Sequence, residues 1–156
     1  MVRQSEIREH IRRYSSFVFI GMGVLAVLNG LFLVFANKFL LFLPEDAQYV
    51  GMTAHQISNL DPSLYNWAVT VYRLWGGFTF SAGVLTVLTA WQLLLKREKW
   101  AWYALAIALS PTLVLWIAVN LPFSSYFLPT LWTILIAYLA ALVGSYWALF
   151  ISKPGR

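Results

Sequence analysis

Four stretches of this chain carry no Asp, Glu, Lys or Arg, and each is long enough to cross hydrocarbon. They are Phe17 to Ala36, Leu74 to Leu95, Trp100 to Leu121 and Tyr126 to Ile151, with 20, 22, 22 and 26 residues. A bilayer core about 30 Å thick takes roughly 20 apolar residues, and a helix crosses it with its backbone hydrogen bonds satisfied internally. The runs fill 90 of the 156 residues. The predicted fold is therefore all-α: a polytopic membrane four-helix bundle forming a single membrane domain over 1–156. Its helices fall at about 16–36, 62–95, 100–121 and 126–151, with a structured outer loop at 37–61. Charged residues make up only 11% of the chain, against roughly 25% in a soluble domain. That excludes a water-soluble globule, a disordered tail and a nucleic-acid module. The net charge of +5 in so apolar a chain speaks of topology before it speaks of DNA.

Orientation follows from Lys and Arg at the span ends. Arg3, Arg8, Arg12, Arg13, Lys96, Arg97, Lys99, Lys153 and Arg156 fall on one side, nine in all, against Lys38 and Arg73 on the other. Both termini are expected to be cytoplasmic, in a prokaryotic inner membrane. The Val34-Phe35-Ala36 pattern resembles a signal-cleavage site. The apolar run before it, however, exceeds the usual signal core of roughly 7–15 residues, so the segment reads as a retained helix. It either runs long and tilts towards Pro44, or breaks at Asn37 into an interfacial turn. Trp and Tyr gather near the predicted boundaries. Trp91, Trp100, Trp102, Tyr103, Tyr146 and Trp147 fall towards the basic side, and Tyr65, Trp67, Tyr72, Trp75, Trp116 and Tyr126 towards the other. They suit interfacial anchors.

In the outer loop, Thr53 with Gln56 three residues on has the form of a capping box. A short helix from Ala54 to about Leu60 follows from it. Asp61-Pro62 reads as an N-cap followed by proline in the first turn, so the second long helix begins near Pro62 and ends at Leu95. At 1.5 Å per residue it measures about 51 Å, too long for the core. Its first turns stand above the membrane and Arg73 lies at the outer interface, where an arginine costs far less than at mid-bilayer.

Inside lipid, helices associate where small residues let backbones approach. Each span carries such a stripe: Gly23, Ala26 and Gly30; Gly76, Thr79, Gly83, Thr86 and Ala90; Ala101, Ala104, Ala108 and Thr112; and Thr130, Thr133, Ala137, Ala141, Gly144 and Ala148. Pro111 falls mid-span and predicts a kink near Ile107 to Pro111, either structural or a gating hinge. Arg73 precedes Gly76 by three residues and so points towards the bundle. Its expected partners are Asn29, Asn120, Glu45 or Asp46. It serves there either as a clamp on the loop or as an anion or headgroup binder, and the candidate ligand-binding residues are Arg73, Asn29, Asn120 and His55.

The chain has no cysteine and two histidines, His10 and His55, both outside the spans. That excludes thiolate chemistry, a bis-His haem within the membrane, and the intramembrane carboxylates or histidines that proton relays use. Gly21-Met22-Gly23 sits in an apolar helix and reads as packing, not as a dinucleotide loop. No catalytic residue, metal site or cofactor is expected. His55, near Asp61, Glu45 and Asp46 in the loop, is the one candidate base.

Gly51-Met52-Thr53, Leu60-Asp61-Pro62, Tyr72-Arg73-Leu74-Trp75-Gly76-Gly77 and Arg97-Glu98-Lys99-Trp100-Ala101-Trp102 together resemble a pattern of uncharacterised bacterial four-helix membrane proteins of DoxX-like type, over about residues 50 to 150. The resemblance implies a four-helix bundle and supplies no activity. Some such proteins place a histidine and an acid beside the arginine, where this chain has Val71 and Tyr72. Because DoxX-like proteins include parts of quinone-linked oxidoreductases, the resemblance also implies an accessory role in a redox complex. The expected function is a small non-catalytic accessory or assembly subunit of a larger membrane complex. The alternative is a binder or carrier of a lipid, quinone or other hydrophobic ligand. Expected partners are the lipid bilayer and other membrane subunits or a second copy, with no nucleic acid.

Overall fold

The computed structural model describes residues 2–36 and 49–151. Among these it is all-helical. The α-helices are α1 (Val2–Phe35), α2 (Ala54–Leu60), α3 (Pro62–Lys96), α4 (Lys99–Asn120) and α5 (Leu128–Tyr146), with a 3-10 turn at Leu121–Phe123 and a π turn at Trp147–Ile151. Four segments are long and apolar enough to cross a membrane: Gln4–Phe35, Pro62–Leu94, Lys99–Asn120 and Leu128–Ile151.

α1 begins at Val2, well before the expected start near 16. The added turns are polar but not helix-breaking. Glu9 pairs with Arg12 at 2.6 Å and with Arg13 at 2.9 Å, the three- and four-residue spacings at which opposite charges meet on one helix face. The predicted break or turn at Asn37, the approach to Pro44, and the carboxylates Glu45 and Asp46 lie outside the described residues.

The short helix is set by its caps. Thr53 accepts from Gln56 N at 3.3 Å while the Gln56 side chain accepts from Thr53 N at 2.8 Å. Asp61 ends α2, its N–H donating to Ile57 O at 2.8 Å. It also starts α3, its carboxylate accepting from Ser63 N at 2.8 Å and Leu64 N at 3.1 Å. One residue thus satisfies orphan backbone groups of two helices.

α1 and α3 run antiparallel with their backbones in contact. A Cβ placed on Gly30 would lie 2.4 Å from Phe80 N and 2.7 Å from Gly76 O; one on Gly83 would lie 2.6 Å from Val27 N and 2.8 Å from Gly23 O. Gly23 and Gly30 are seven residues apart, as are Gly76 and Gly83. Two turns of one helix therefore meet two turns of the other, with Val27, Leu33, Val34 and Val87 packed over the glycines. Thr86 and Ala90 continue the buried face of α3.

The expected small-residue stripes of α4 and α5 pack only near the basic end, where Ala101 and Ala141 are buried and a Cβ on Gly144 would lie 3.1 Å from Ile11 Cγ2. α4 buries Ala101, Leu105, Leu113 and Ile117, and α5 buries Leu131, Tyr138, Ala141 and Ser145. Ala108, Thr112, Thr130, Thr133 and Ala137 face outwards. Thr112 and Thr133 donate to Ala108 O and Pro129 O within their own helices, each at 2.9 Å. A hydroxyl satisfied in this way needs no partner helix. α4 continues helical through Pro111. Beside it, Ser110 Oγ and Tyr138 Oη are 2.6 Å apart, and Tyr138 donates to Ala106 O at 3.3 Å. This polar link joins α4 to α5, and the Tyr138 ring meets Phe19 of α1 edge-on at 6.1 Å.

The glycine seam predicts a position-specific response. Gly30→Ala is expected to lower stability by about 1–3 kcal/mol, as overpacking does, read as a drop in the thermal midpoint in detergent. Gly21, with nothing within 4 Å of an added Cβ, should accept alanine without loss. Equal effects at the two positions would contradict the seam.

Candidate functional site

No hydrogen bond joins the four residues singled out from the sequence to one another. Arg73 is exposed on α3, one turn further from the basic end than Gly76, whose neighbours are Gly30, Leu33 and Val34. It makes no bond to Asn29 or Asn120. Asn29 is half-buried beside the seam. Asn120 donates to Trp116 O at 2.9 Å within its own helix. His55 is exposed on α2, its Nδ1 3.2 Å from Asn59 Nδ2. The expectation of an Arg73 clamp therefore fails for both asparagines: neither amide oxygen accepts from the guanidinium, and Asn120 uses its amide donor on its own last turn. Among the described residues, no three His, Asp or Glu side chains converge on a metal-sized site.

The structure gathers its charged groups at the other end, where the start of α1 meets the α3–α4 turn. Arg12 is only 5% exposed. Its Nη1 donates to Leu93 O at 2.7 Å and also to Leu94 O. These are carbonyls of the last turn of α3, which no N–H of that helix reaches. A guanidinium there also meets the negative end of the helix dipole. Its other edge holds Glu9, through Nε at 3.3 Å and Nη2 at 2.6 Å. Glu9 in turn binds Arg97 Nη2 at 2.8 Å. Arg97 caps α3 with a left-handed backbone, φ 55°, a conformation disfavoured for a residue with a Cβ.

Glu9 lies eight residues before Phe17, about 12 Å along the helix from the uncharged run. Its two carboxylate oxygens are shared among Arg12, Arg13 and Arg97. What this arrangement can do is fasten α1, the end of α3 and the turn into α4 at one point. Arg12 carries no free donor face for substrate chemistry.

Two open hollows accompany this end. One, of about 290 Å³, lies along α1 between Ser5, Glu6, Glu9, His10 and Arg13. The other, of about 280 Å³, is apolar and lined by Trp102, Leu142, Val143 and Tyr146. Neither touches Arg73, Asn29, Asn120 or His55. Beside the second, Trp102 packs against Tyr103, Tyr146 and Phe150 at 5.2, 5.3 and 5.6 Å, and its Nε1 donates to Leu142 O at 3.0 Å.

Sequence reasoning took Arg12, Arg13 and Arg97 as topology signals and passed over Glu9. The Glu9, Arg12, Arg13 spacing was a readable helix signal. The bond from Arg12 to Leu93 spans 81 residues of chain, and no local pattern announces it. No protein-family model, curated protein or solved structure matches this chain.

Glu9→Gln, which removes the charge that pairs with Arg12, Arg13 and Arg97, is expected to lower the thermal midpoint measured in detergent. A midpoint equal to that of the native chain would show that the charge on Glu9 does not matter.

Proposed function

We propose that this protein is a small non-catalytic membrane subunit that works by docking onto another membrane protein. The observation that carries the reading is a stripe on α3. Leu64, Trp67, Val71, Leu74 and Phe78 are all exposed, Trp67 to 63% and Phe78 to 67%. They recur at alternating intervals of three and four residues, the spacing of a helix-on-helix seam. α1 covers the opposite, glycine-bearing face of α3, so this stripe has no partner among the described residues.

Depth gives the stripe its meaning. α3 has 35 residues and measures about 52 Å, whereas the hydrocarbon is about 30 Å thick. With the basic turn at Lys96 to Lys99 set at the cytoplasmic surface, Leu64, Trp67 and Val71 stand beyond the core on the far side. Lipid tails do not cover them there, and contiguous apolar surface outside hydrocarbon marks an interaction site. Because the stripe runs on into the core through Leu74 and Phe78, the fitting partner is a transmembrane helix that also projects past the membrane. A role as accessory or assembly subunit follows, in a prokaryotic inner membrane with both chain ends cytoplasmic. The DoxX-like resemblance belongs with this reading. A carrier that orients its ligand's head with Arg73 and the asparagines gains nothing, since neither hollow reaches those residues.

A photo-crosslinking residue at Trp67 or Leu74 should give adducts with a distinct membrane protein in the native membrane. The same residue at Ile107, exposed on α4, should give none, and Trp67→Glu should abolish co-purification of the adduct's partner. Adducts only between copies of this chain would replace the accessory reading with a homo-oligomer. No adduct at either site would remove it.

A further inference from the structure

At the basic end, away from the α3 stripe, the apolar hollow between α4 and α5 has an ordered composition. Lys99 opens α4, and its Nζ stands 5.3 Å from the centre of the Phe150 ring. Phe150 stacks on Tyr146 at 4.9 Å with the rings 23° apart. One turn further along both helices come Trp102 and Tyr146. Leu142 and Val143 follow on α5, and the four line the hollow with apolar surface only. Moving inwards from the membrane surface, the chain thus presents a cation, then two amphipathic rings, then aliphatic side chains.

That sequence of groups repeats the polarity of a phospholipid read from head to tail. We propose that the α4–α5 hollow is a binding site for an anionic phospholipid. Lys99 meets the phosphate, Trp102 and Tyr146 lie against the glycerol-ester region, and one acyl chain runs over Leu142 and Val143. Charge complementarity selects the anionic class. Lys99 has no carboxylate partner among the described residues. Of the acids nearby, Glu9 is occupied by Arg12, Arg13 and Arg97, and Glu98 precedes Lys99 on the turn. Trp102 is held for this role by its bond to Leu142 O, so its ring wall is fixed before a lipid arrives. A lysine near the surface of an anionic membrane contributes about 1 kcal/mol, which is about a fivefold preference. This site does not depend on the docking reading, because it uses other helices and the other end of the bundle.

The test uses the full chain reconstituted in vesicles and reads quenching of its tryptophan fluorescence by lipids brominated on the acyl chain. Brominated phosphatidylglycerol in a phosphatidylcholine background should quench more than brominated phosphatidylcholine in the converse mixture. Trp102→Phe should remove that excess, and Val143→Phe, which fills the hollow from an exposed position, should reduce it. Lys99→Ala should cut the preference about fivefold. Lys96→Ala removes the same charge from the same end but off the hollow, and should leave the preference in place. Equal quenching by the two brominated lipids overturns the site. So does an excess that survives Trp102→Phe, or an equal loss in Lys96→Ala and Lys99→Ala, which would mean diffuse attraction by the basic end.

Discussion

Direct backbone contact between α1 and α3 is the constraint from which the rest of the bundle follows. Hydrocarbon provides no hydrophobic force to hold helices together, so a close approach has to supply dispersion and weak polar contacts over a continuous line. Gly23 and Gly30 opposite Gly83 and Gly76 make that approach possible. The register they set brings Arg12 to the last carbonyls of α3. It also turns the glycine-free face of α3 outwards, with Leu64, Trp67 and Phe78 upon it. α4 and α5 then close the basic end over Phe19, Ala90 and Leu93. Along the rest of their length they rely on larger side chains and on the Ser110–Tyr138 link.

The two ends of the molecule have opposite character. At the basic end, charges are paired, aromatic rings stack on each other and the helix terminus is capped. At the other, Arg73 stands exposed and apolar side chains face outwards. The first pattern holds the protein's own helices together and leaves Lys99 at the surface. The second leaves apolar side chains without a covering helix among the described residues.

Much of this was legible in the sequence wherever a local pattern decided the outcome. Uncharged runs of sufficient length marked four candidate spans. Thr53 with Gln56, and Asp61 with Pro62, placed the caps of α2 and α3, since capping depends on residues three or four apart. The small-residue stripes of α1 and α3 were legible as packing faces, but not that these two faces meet each other. Local pattern failed where the decisive partner is distant. Arg73 was expected to turn inwards because of its place relative to Gly76, but what covers a helix edge depends on elements brought in from elsewhere. The small residues of α4 and α5 were expected to pack against neighbouring helices, which holds at Ala101, Ala141 and Gly144 but not further from the basic end. A threonine bonded to its own helix is indifferent to neighbours, and Leu113 and Tyr138 took the contacts instead. The polar start of α1 has the composition of a tail, and only its folded contacts show Glu9 holding three arginines.

The Arg12 clamp carries an implication for the order of assembly. Its acceptors, the Leu93 and Leu94 carbonyls, are synthesised some eighty residues after it, and the Arg97 that completes the Glu9 cluster comes later still. The latch between α1 and the end of α3 therefore cannot close until the chain has been made through Leu94, nor its Glu9 cluster be completed before Arg97.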